Sequence, residues 1–364
     1  MTRELAHDAL HDRLVSFIRT PEVGDFNALA LAVFEYQYNH IEVVRRVADY
    51  TGNTPDRVQR WNDIPAIPAR AFKSYSMFDD GALAHTFFSS GTSGAPKSKA
   101  HFSEAGLTLM AESILQNARK YFLPEGRNTV ILVLAPSPSL APHMIMAWGM
   151  EQLIQHFGLP GSRFLVGPEG LDQNGLMQTF TDCIRANIPV TLIGASFGFV
   201  HLLDGLAAKS LTLQLPEGSR LMDAGGFKGR SRVVRRNDMD RAITETLAIP
   251  AHLSVNLLGM TELASQFYDD VLIHRDPQRR RKSNAPWTRT VVLDPRSMQF
   301  AAHGTPGLLC HWDLANLERP CAVLTDDLGV RDALGWTVLG RAKGVESKGC
   351  SLTIDAMLGG QTGG

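Results

Sequence analysis

No uninterrupted apolar run in the 364 residues approaches the roughly 18 expected of a membrane-spanning helix, so no such span is expected. The opening MTRELAHDALHDRL is charged throughout and lacks an apolar centre, which argues against a secretory signal. Nor does either charge dominate: 36 Lys and Arg stand against 37 Asp and Glu, a net charge of −1. Broad nucleic-acid binding needs many phosphates neutralised from one face and is therefore not expected. Cysteine is scarce. Cys183, Cys310, Cys321 and Cys350 are scattered without a CxxC pair, as suits reduced thiols in a cytoplasm. Cys310, His311 and Cys321 match no zinc spacing, and no internal repeat is visible.

What is present is enough apolar sequence, 44 %, to bury a substantial core. Apolar residues recur at Phe26, Leu29, Ala30, Val33, Phe34, Ile41 and Val44, with Asp25 placed as an N-cap and Gly52 beyond the end. This spacing predicts one amphipathic helix from Asp25 to Tyr50. Pro65 and Pro68 interrupt the following NDIPAIPARAFKSY and predict an extended strap. Leu107 to Tyr121 keeps helical spacing, and TVILVLAP (129–136) reads as a buried strand. SRFLVG, IPVTLIGAS, SRLMDAGG, HLSVNLLG, RTVVLD, GLLCHW and CAVLT are further strand candidates, several separated by helix-length segments. The pattern is that of an α/β protein with sheets layered by helices, the strand-rich last third forming a small distorted β-barrel. The tail LGGQTGG reads as a flexible end.

One stretch, FFSSGTSGAPKSKAHF (87–102), gathers glycine, serine and lysine around a single proline. Counted from Gly91 it is one substitution from the P-loop pattern G-x-x-x-x-G-K-[ST]. Pro96 stands where that pattern needs its second glycine, and proline offers no N–H to a phosphate cradle. The stretch still presents hydroxyls on Ser89, Ser90, Thr92 and Ser93, backbone donors made accessible by Gly91 and Gly94, and the Lys97 cation. These are the donors a polyphosphate requires, or the stretch is a Gly/Ser connector. Elsewhere, His143 in PSPSLAPHMIMAWGM could face an acyl pocket lined by Met144, Met146, Trp148 and Met150, or these side chains could be core. The basic runs RRRK (279–282) and Arg230 to Arg236 read as solvated faces.

SSGTSGAPKS resembles the phosphate-loop signature of adenylate-forming enzymes, the superfamily of acyl-CoA synthetases, adenylation domains and luciferases. LLGMTEL (257–263), TDDLG (325–329) and GRAKGVESKG (340–349) follow in the order of that superfamily's YGxTE, TGDLG and hinge segments. Within it the chain most resembles the acyl-protein synthetases of bacterial bioluminescence operons, which ligate long-chain fatty acids to a protein thiol. IPAIPARAFK, DAGGFKGRSR (223–232) and SKGCSL are similar as well, so the likeness spans Ile64 to Leu352.

The resemblance implies a large α/β domain over residues 1–340 and a truncated segment over 341–364, without the superfamily's C-terminal subdomain and its late lysine. It implies ATP and Mg2+, with Ser89 to Lys97 on the β- and γ-phosphates, Thr261 on the α-phosphate beside Gly259 and Met260, and Glu262 on the metal, which prefers oxygen ligands. Asp327 matches an acceptor for the ribose hydroxyls, or is a turn residue. Arg341 matches an arginine near ribose and phosphate, or is a surface charge. Gly225 and Gly226 would let a flat purine lie against backbone, or form a structural turn. Leu258 replaces the aromatic residue usual before GMTE. Cys350 would carry the acyl group as a thioester, its pKa lowered by Lys348, or be a buried structural cysteine. In place of the late lysine, charge stabilisation would come from Lys97, Mg2+, Lys228, Arg230 or a partner. The implied substrate is a fatty or aromatic carboxylic acid, with an acyl reductase or a carrier protein as partner. Two alternatives are a ligase passing the same adenylate to coenzyme A, a carrier thiol or an amine, and a non-catalytic subunit binding nucleotide or acyl groups.

Overall fold

A computed structural model describes residues 3–79, 81–89, 96–225 and 231–342. Its helices are α1 (Arg3–Arg19), α2 (Phe26–His40), α3 (Glu42–Thr51), α4 (Glu104–Tyr121), α5 (Ile145–Phe157), α6 (Gln173–Ala186), α7 (Ser196–Ala208), α8 (Arg236–Leu247) and α9 (Val271–His274). The strands begin with β1 (Ile67–Pro68), β2 (His85–Phe88), β3 (Lys99–Phe102), β4 (Val130–Pro136), β5 (Arg163–Gly167), β6 (Gly170–Leu171) and β7 (Val190–Ala195). They continue with β8 (Arg220–Ala224), β9 (Ser254–Leu258), β10 (Phe267–Tyr268), β11 (Thr288–Leu293), β12 (Gly307–Asp313), β13 (Ala322–Arg331) and β14 (Trp336–Arg341). None of the helices is long and apolar enough to cross a membrane. The chain divides into two compact units: Met1–Ser113 with Met260–Ser265 and Asn284–Gly364, and Ile114–Gly259 with Gln266–Ser283.

In the first unit, α2 begins where Asp25 accepts the Asn27 amide at 2.8 Å, and α3 ends on Gly52 in the left-handed conformation, φ 73°. The single helix expected from Asp25 to Tyr50 is therefore two. Ile41, buried at the joint, takes an extended backbone (φ −119°, ψ 108°). Burying this β-branched side chain offsets the interrupted helical bonds, and one extended residue turns the chain without disturbing the apolar count. The proline strap forms as expected: Ile67 and Pro68 add to β13 in parallel at Val323 and Leu324. The sheet order is β1-β13-β12-β11, with β14 also on β13. Among the described residues this five-stranded sheet is open rather than the small barrel expected. The strap and β14 occupy one edge and β11 ends the other, and strand patterns in sequence do not distinguish an edge from a closed seam.

The second unit is a seven-stranded sheet in the order β10-β9-β8-β7-β4-β5-β6, parallel from β9 through β5 and antiparallel at both outer strands. β4, β7 and β8 are apolar runs because both faces are covered; Leu132, Leu192 and Leu221 pack with Phe180, Phe199 and Ile243 from the helices. The loops leaving the carboxyl ends of β4, β7, β8 and β9 carry His143, Ser196, Gly225 and Gly259. That end of an open parallel sheet is where α/β proteins take ligands.

Candidate functional site

The strands on either side of the glycine-serine stretch pair with each other. β2 and β3 pair from His85 opposite Phe102 to Phe88 opposite Lys99, with Phe87 and Phe102 buried edge to face. At the mouth, the Ser89 N–H donates to the Ser98 carbonyl at 3.0 Å, and the Ser98 N–H donates to Ser89 Oγ at 2.9 Å. Ser89 thus accepts the closing bond and keeps its own hydroxyl proton for another acceptor. Lys97 is exposed beside it. Ser90, Gly91, Thr92, Ser93 and Gly94 lie outside the described residues.

Met260, Thr261 and Glu262 form a tight turn, closed by the Leu263 N–H on the Met260 carbonyl at 3.2 Å. The turn is held from beneath by fully buried polar groups. Asn316 donates to the Glu262 carbonyl at 2.9 Å and accepts the Ala264 N–H at 3.0 Å. Asp313 accepts the Ser265 N–H at 2.7 Å and its hydroxyl at 2.6 Å. Thr261 and the Glu262 side chain are themselves nearly buried, at 6 % and 7 % exposure. Burial raises the Glu262 pKa, and the Ser98 hydroxyl, Arg341 and Lys73 oppose that rise. The carboxylate therefore sits against the closing residue of the hairpin loop, where the charges of Arg341 and Lys73 favour its ionised form.

Asp327 lies within β13, not in a turn. Thr325 locks the segment by donating to the Leu309 carbonyl at 2.9 Å, and its oxygen accepts the Asp327 N–H at 3.1 Å. Gly329 is required by packing: a Cβ there would stand 2.5 Å from the Leu309 side chain and 2.8 Å from the Thr337 carbonyl. Across the ladder Asp327 faces Arg341, with Nε and Oδ1 3.6 Å apart. Burial raises the Asp327 pKa and Arg341 opposes it. Arg341 acts on both Glu262 and Asp327, so the loop mouth, the turn and the strand converge within the first unit.

In the second unit, Gly225 leaves β8 with φ 72°, a left-handed conformation that favours glycine. The Ser196 hydroxyl, at the start of α7, stands 2.7 Å from Asp223 Oδ2 and 3.1 Å from the Gly225 carbonyl, and donates to them. Gly259 lies against Met146, whose Sδ would be 3.3 Å from an added Cβ. That brings the β9 exit to the methionine-rich segment after β4, where His143 and Met144 are exposed and Met150 is buried. Gly226, Lys228, Arg230 and Cys350 lie outside the described residues.

The basic runs are only partly the solvated faces expected. Arg280 binds Asp240 and Asp269 at 2.8 Å each, and Arg236 pairs with Asp223 and, at 3.0 Å, Asp240. Lys282 is fully buried, its Nζ 2.6 Å and 2.7 Å from the Asn256 carbonyl and Oδ1, and burial pulls its pKa down to about 8. Local sequence shows a charge run but not the acidic partners that other elements bring to it. Lys73, Asn316 and Asp313 were missed for the same reason: PARAFK and DLANLERP carry no local signal of what they support. Cys310 and Cys321 are buried, which raises both thiol pKa values, Cys321 to about 12. His311 Nδ1 is 2.9 Å from Thr290 Oγ1.

Known proteins resemble this chain over most of its length. The long-chain-fatty-acid–luciferin-component ligase of Vibrio harveyi is 22 % identical over 340 residues, covering 90 % of this chain and 86 % of that protein. The protein of the same name from Aliivibrio fischeri is 23 % identical over 357 residues, covering 93 % and 89 %. Among solved structures, an open conformation of 2-hydroxyisobutyryl-CoA ligase in complex with 2-HIB-AMP and CoA superposes with a TM-score of 0.59 at 14 % identity, over 86 % of this chain and 69 % of that one. ATP-bound MatB from Rhodopseudomonas palustris gives 0.51 at 18 % identity, over 79 % and 53 %. The fold is thus that of the adenylate-forming ligases. The family description "Acyl-protein synthetase, LuxE" matches residues 20–359, and the chain belongs to that family.

Proposed function

We propose that this protein activates a long-chain fatty acid with ATP and Mg2+, forming an acyl adenylate and pyrophosphate, and passes the acyl group to the Cys350 thiol for delivery to an acyl reductase in the cytoplasm. Activation as an adenylate followed by transfer to a thiol is the chemistry of the acyl-protein synthetases. The fatty acid is suggested by the names of the two curated relatives. The observation that carries the residue assignments is the convergence of Ser98, Glu262, Arg341 and Asp327.

Each group has a physical part. The hairpin loop, closed at Ser89 and Ser98, supplies donors and the Lys97 charge to the β- and γ-phosphates. Asp327 accepts from the ribose hydroxyls, and Arg341 favours its ionised form against burial. Among the described residues no three His, Cys, Asp or Glu side chains gather to hold a metal ion. A Mg2+ that arrives with a nucleotide needs no such cage, since one or two carboxylates plus phosphates and water complete its shell. Glu262 fits that role, because a dication would favour the ionised form that burial disfavours. When bound, Mg2+ would neutralise phosphate charge and orient the leaving pyrophosphate.

Two variants test the assignments. With ATP, Mg2+ and a panel of fatty acids the protein is expected to release pyrophosphate, and Lys97→Ala to lower that release by about 100-fold. Intact-mass spectrometry is expected to show an acyl adduct that Cys350→Ser abolishes while pyrophosphate release persists. Unchanged release in Lys97→Ala rejects the phosphate loop, and an adduct surviving Cys350→Ser moves the acceptor elsewhere.

A further inference from the structure

The adenylation step concentrates negative charge, and Lys97 lies at the far end of the loop that grips the phosphate tail. The strap contains a second cation. Pro68 adds to β13 opposite Leu324, three residues before Asp327, and the 3-10 turn Ala69–Lys73 then packs against β13 and against β3, the strand that follows Lys97 and Ser98. Ala71 and Phe72 are buried, at 4 % and 1 % exposure, and anchor the turn; Lys73, next in line, is exposed. It has no hydrogen-bond or ion-pair partner among the described residues, yet its charge acts on the buried Glu262 carboxylate, as Arg341 does. An anchored backbone carrying a solvated ammonium beside a buried acid is the arrangement that receives an anion, since the lysine gives up few existing contacts when one binds.

We infer that Lys73 is a further catalytic residue of the adenylation step, its ammonium donating hydrogen bonds to the nucleotide phosphate oxygens on which charge accumulates. This rests on the assignment of the nucleotide site above. In the step, a carboxylate oxygen of the fatty acid forms a bond to the α-phosphorus. The bond from that phosphorus to the bridging oxygen of the β-phosphate breaks, and its electron pair leaves with pyrophosphate. No proton is transferred, and Lys73 stays an ammonium throughout. The proline strap is then the element that carries a cation to the reacting phosphate.

The test compares Lys73→Ala, Lys73→Gln and Lys73→Arg with the parent protein in acid-dependent ATP–pyrophosphate exchange and in acyl transfer from a synthetic acyl adenylate. Lys73→Ala and Lys73→Gln are expected to lower kcat for exchange by about 100-fold, as for loss of one charge-stabilising donor. Lys73→Arg is expected to recover part of it, and all three to melt like the parent and transfer acyl groups from the preformed adenylate normally. Exchange at the parental rate in folded Lys73→Ala overturns the inference, as does an equal loss in both half-reactions, which marks a structural role. If Lys73→Ala misfolds, the exchange rate of folded Lys73→Gln decides. Lys97→Ala separates the two levels: a defect there with none at Lys73 overturns only this inference, whereas no defect at either position rejects the nucleotide site itself.

Discussion

Replacing Arg236 by methionine keeps the aliphatic stem and deletes a guanidinium from the most enclosed charge cluster of the second unit. That guanidinium donates to Asp223, to the Ser254 carbonyl at 2.8 Å and hydroxyl at 2.6 Å, and lies 3.0 Å from Asp240. Around it Asp223, Asp240 and Asp269 are balanced by Arg236, Arg280 and Lys282, and the three carboxylates are 6 %, 4 % and 2 % exposed. An exposed pair would be worth under about 1 kcal/mol. Removing one partner of a buried pair leaves an uncompensated charge and costs about 3–5 kcal/mol. The burial of Asp223 selects the larger figure.

The pH dependence gives the sign. Burial alone would raise the Asp223 pKa, but Arg236, Ser196 and Asn256 outweigh it and hold the carboxyl below its reference of 3.8. In the parent its contribution is complete above 3.8 and is lost as pH falls through the lower folded value. Without Arg236, burial prevails and the pKa rises above the reference, so the variant's deficit is full at neutral pH and shrinks as pH falls and the carboxyl takes up a proton. Urea unfolding near pH 7 and near pH 5, with unchanged m-values, reads this directly. A loss under about 1 kcal/mol at neutral pH, or a deficit identical at both pH values, would refute the reasoning. Adding Asp223→Leu to Arg236→Met should recover part of the loss, because the stranded charge goes with it.

A second titration joins the N-terminal helix to the turn-supporting segment. His7 Nε2 is 3.0 Å from Glu318 Oε1, and that bond chiefly raises the His7 pKa above 6.5. Its stabilisation is full below 6.5 and is lost as pH rises through the folded value. His7→Gln should therefore flatten the dependence of melting temperature between about pH 6 and 8; a parental slope in the variant would show that other groups carry it. Gly225→Ala places a Cβ on a backbone with φ 72° and should cost about 1 kcal/mol in urea unfolding; an unchanged unfolding midpoint would refute the backbone argument.

Periodicity, caps and ordered motifs were sufficient for the elements that depend on near neighbours. Asp25 and Gly52 end helices, TVILVLAP and its successors are strands, and SSGTSGAPKS, GMTE and TDDLG mark the proposed site, because each signal lies within a few residues of its cause. Tertiary structure alone decided what depends on distant partners. Ile41 breaks a helix for the sake of burial, and the last strands stay an open sheet because a proline strap from far upstream occupies one edge. Arg280 is half-buried and Lys282 buried because Asp240, Asp269 and Asn256 come from other elements to meet them. Lys73 gains meaning only once Pro68 is paired with Leu324: charge acts through space over a few ångströms, and sequence separation does not record that distance.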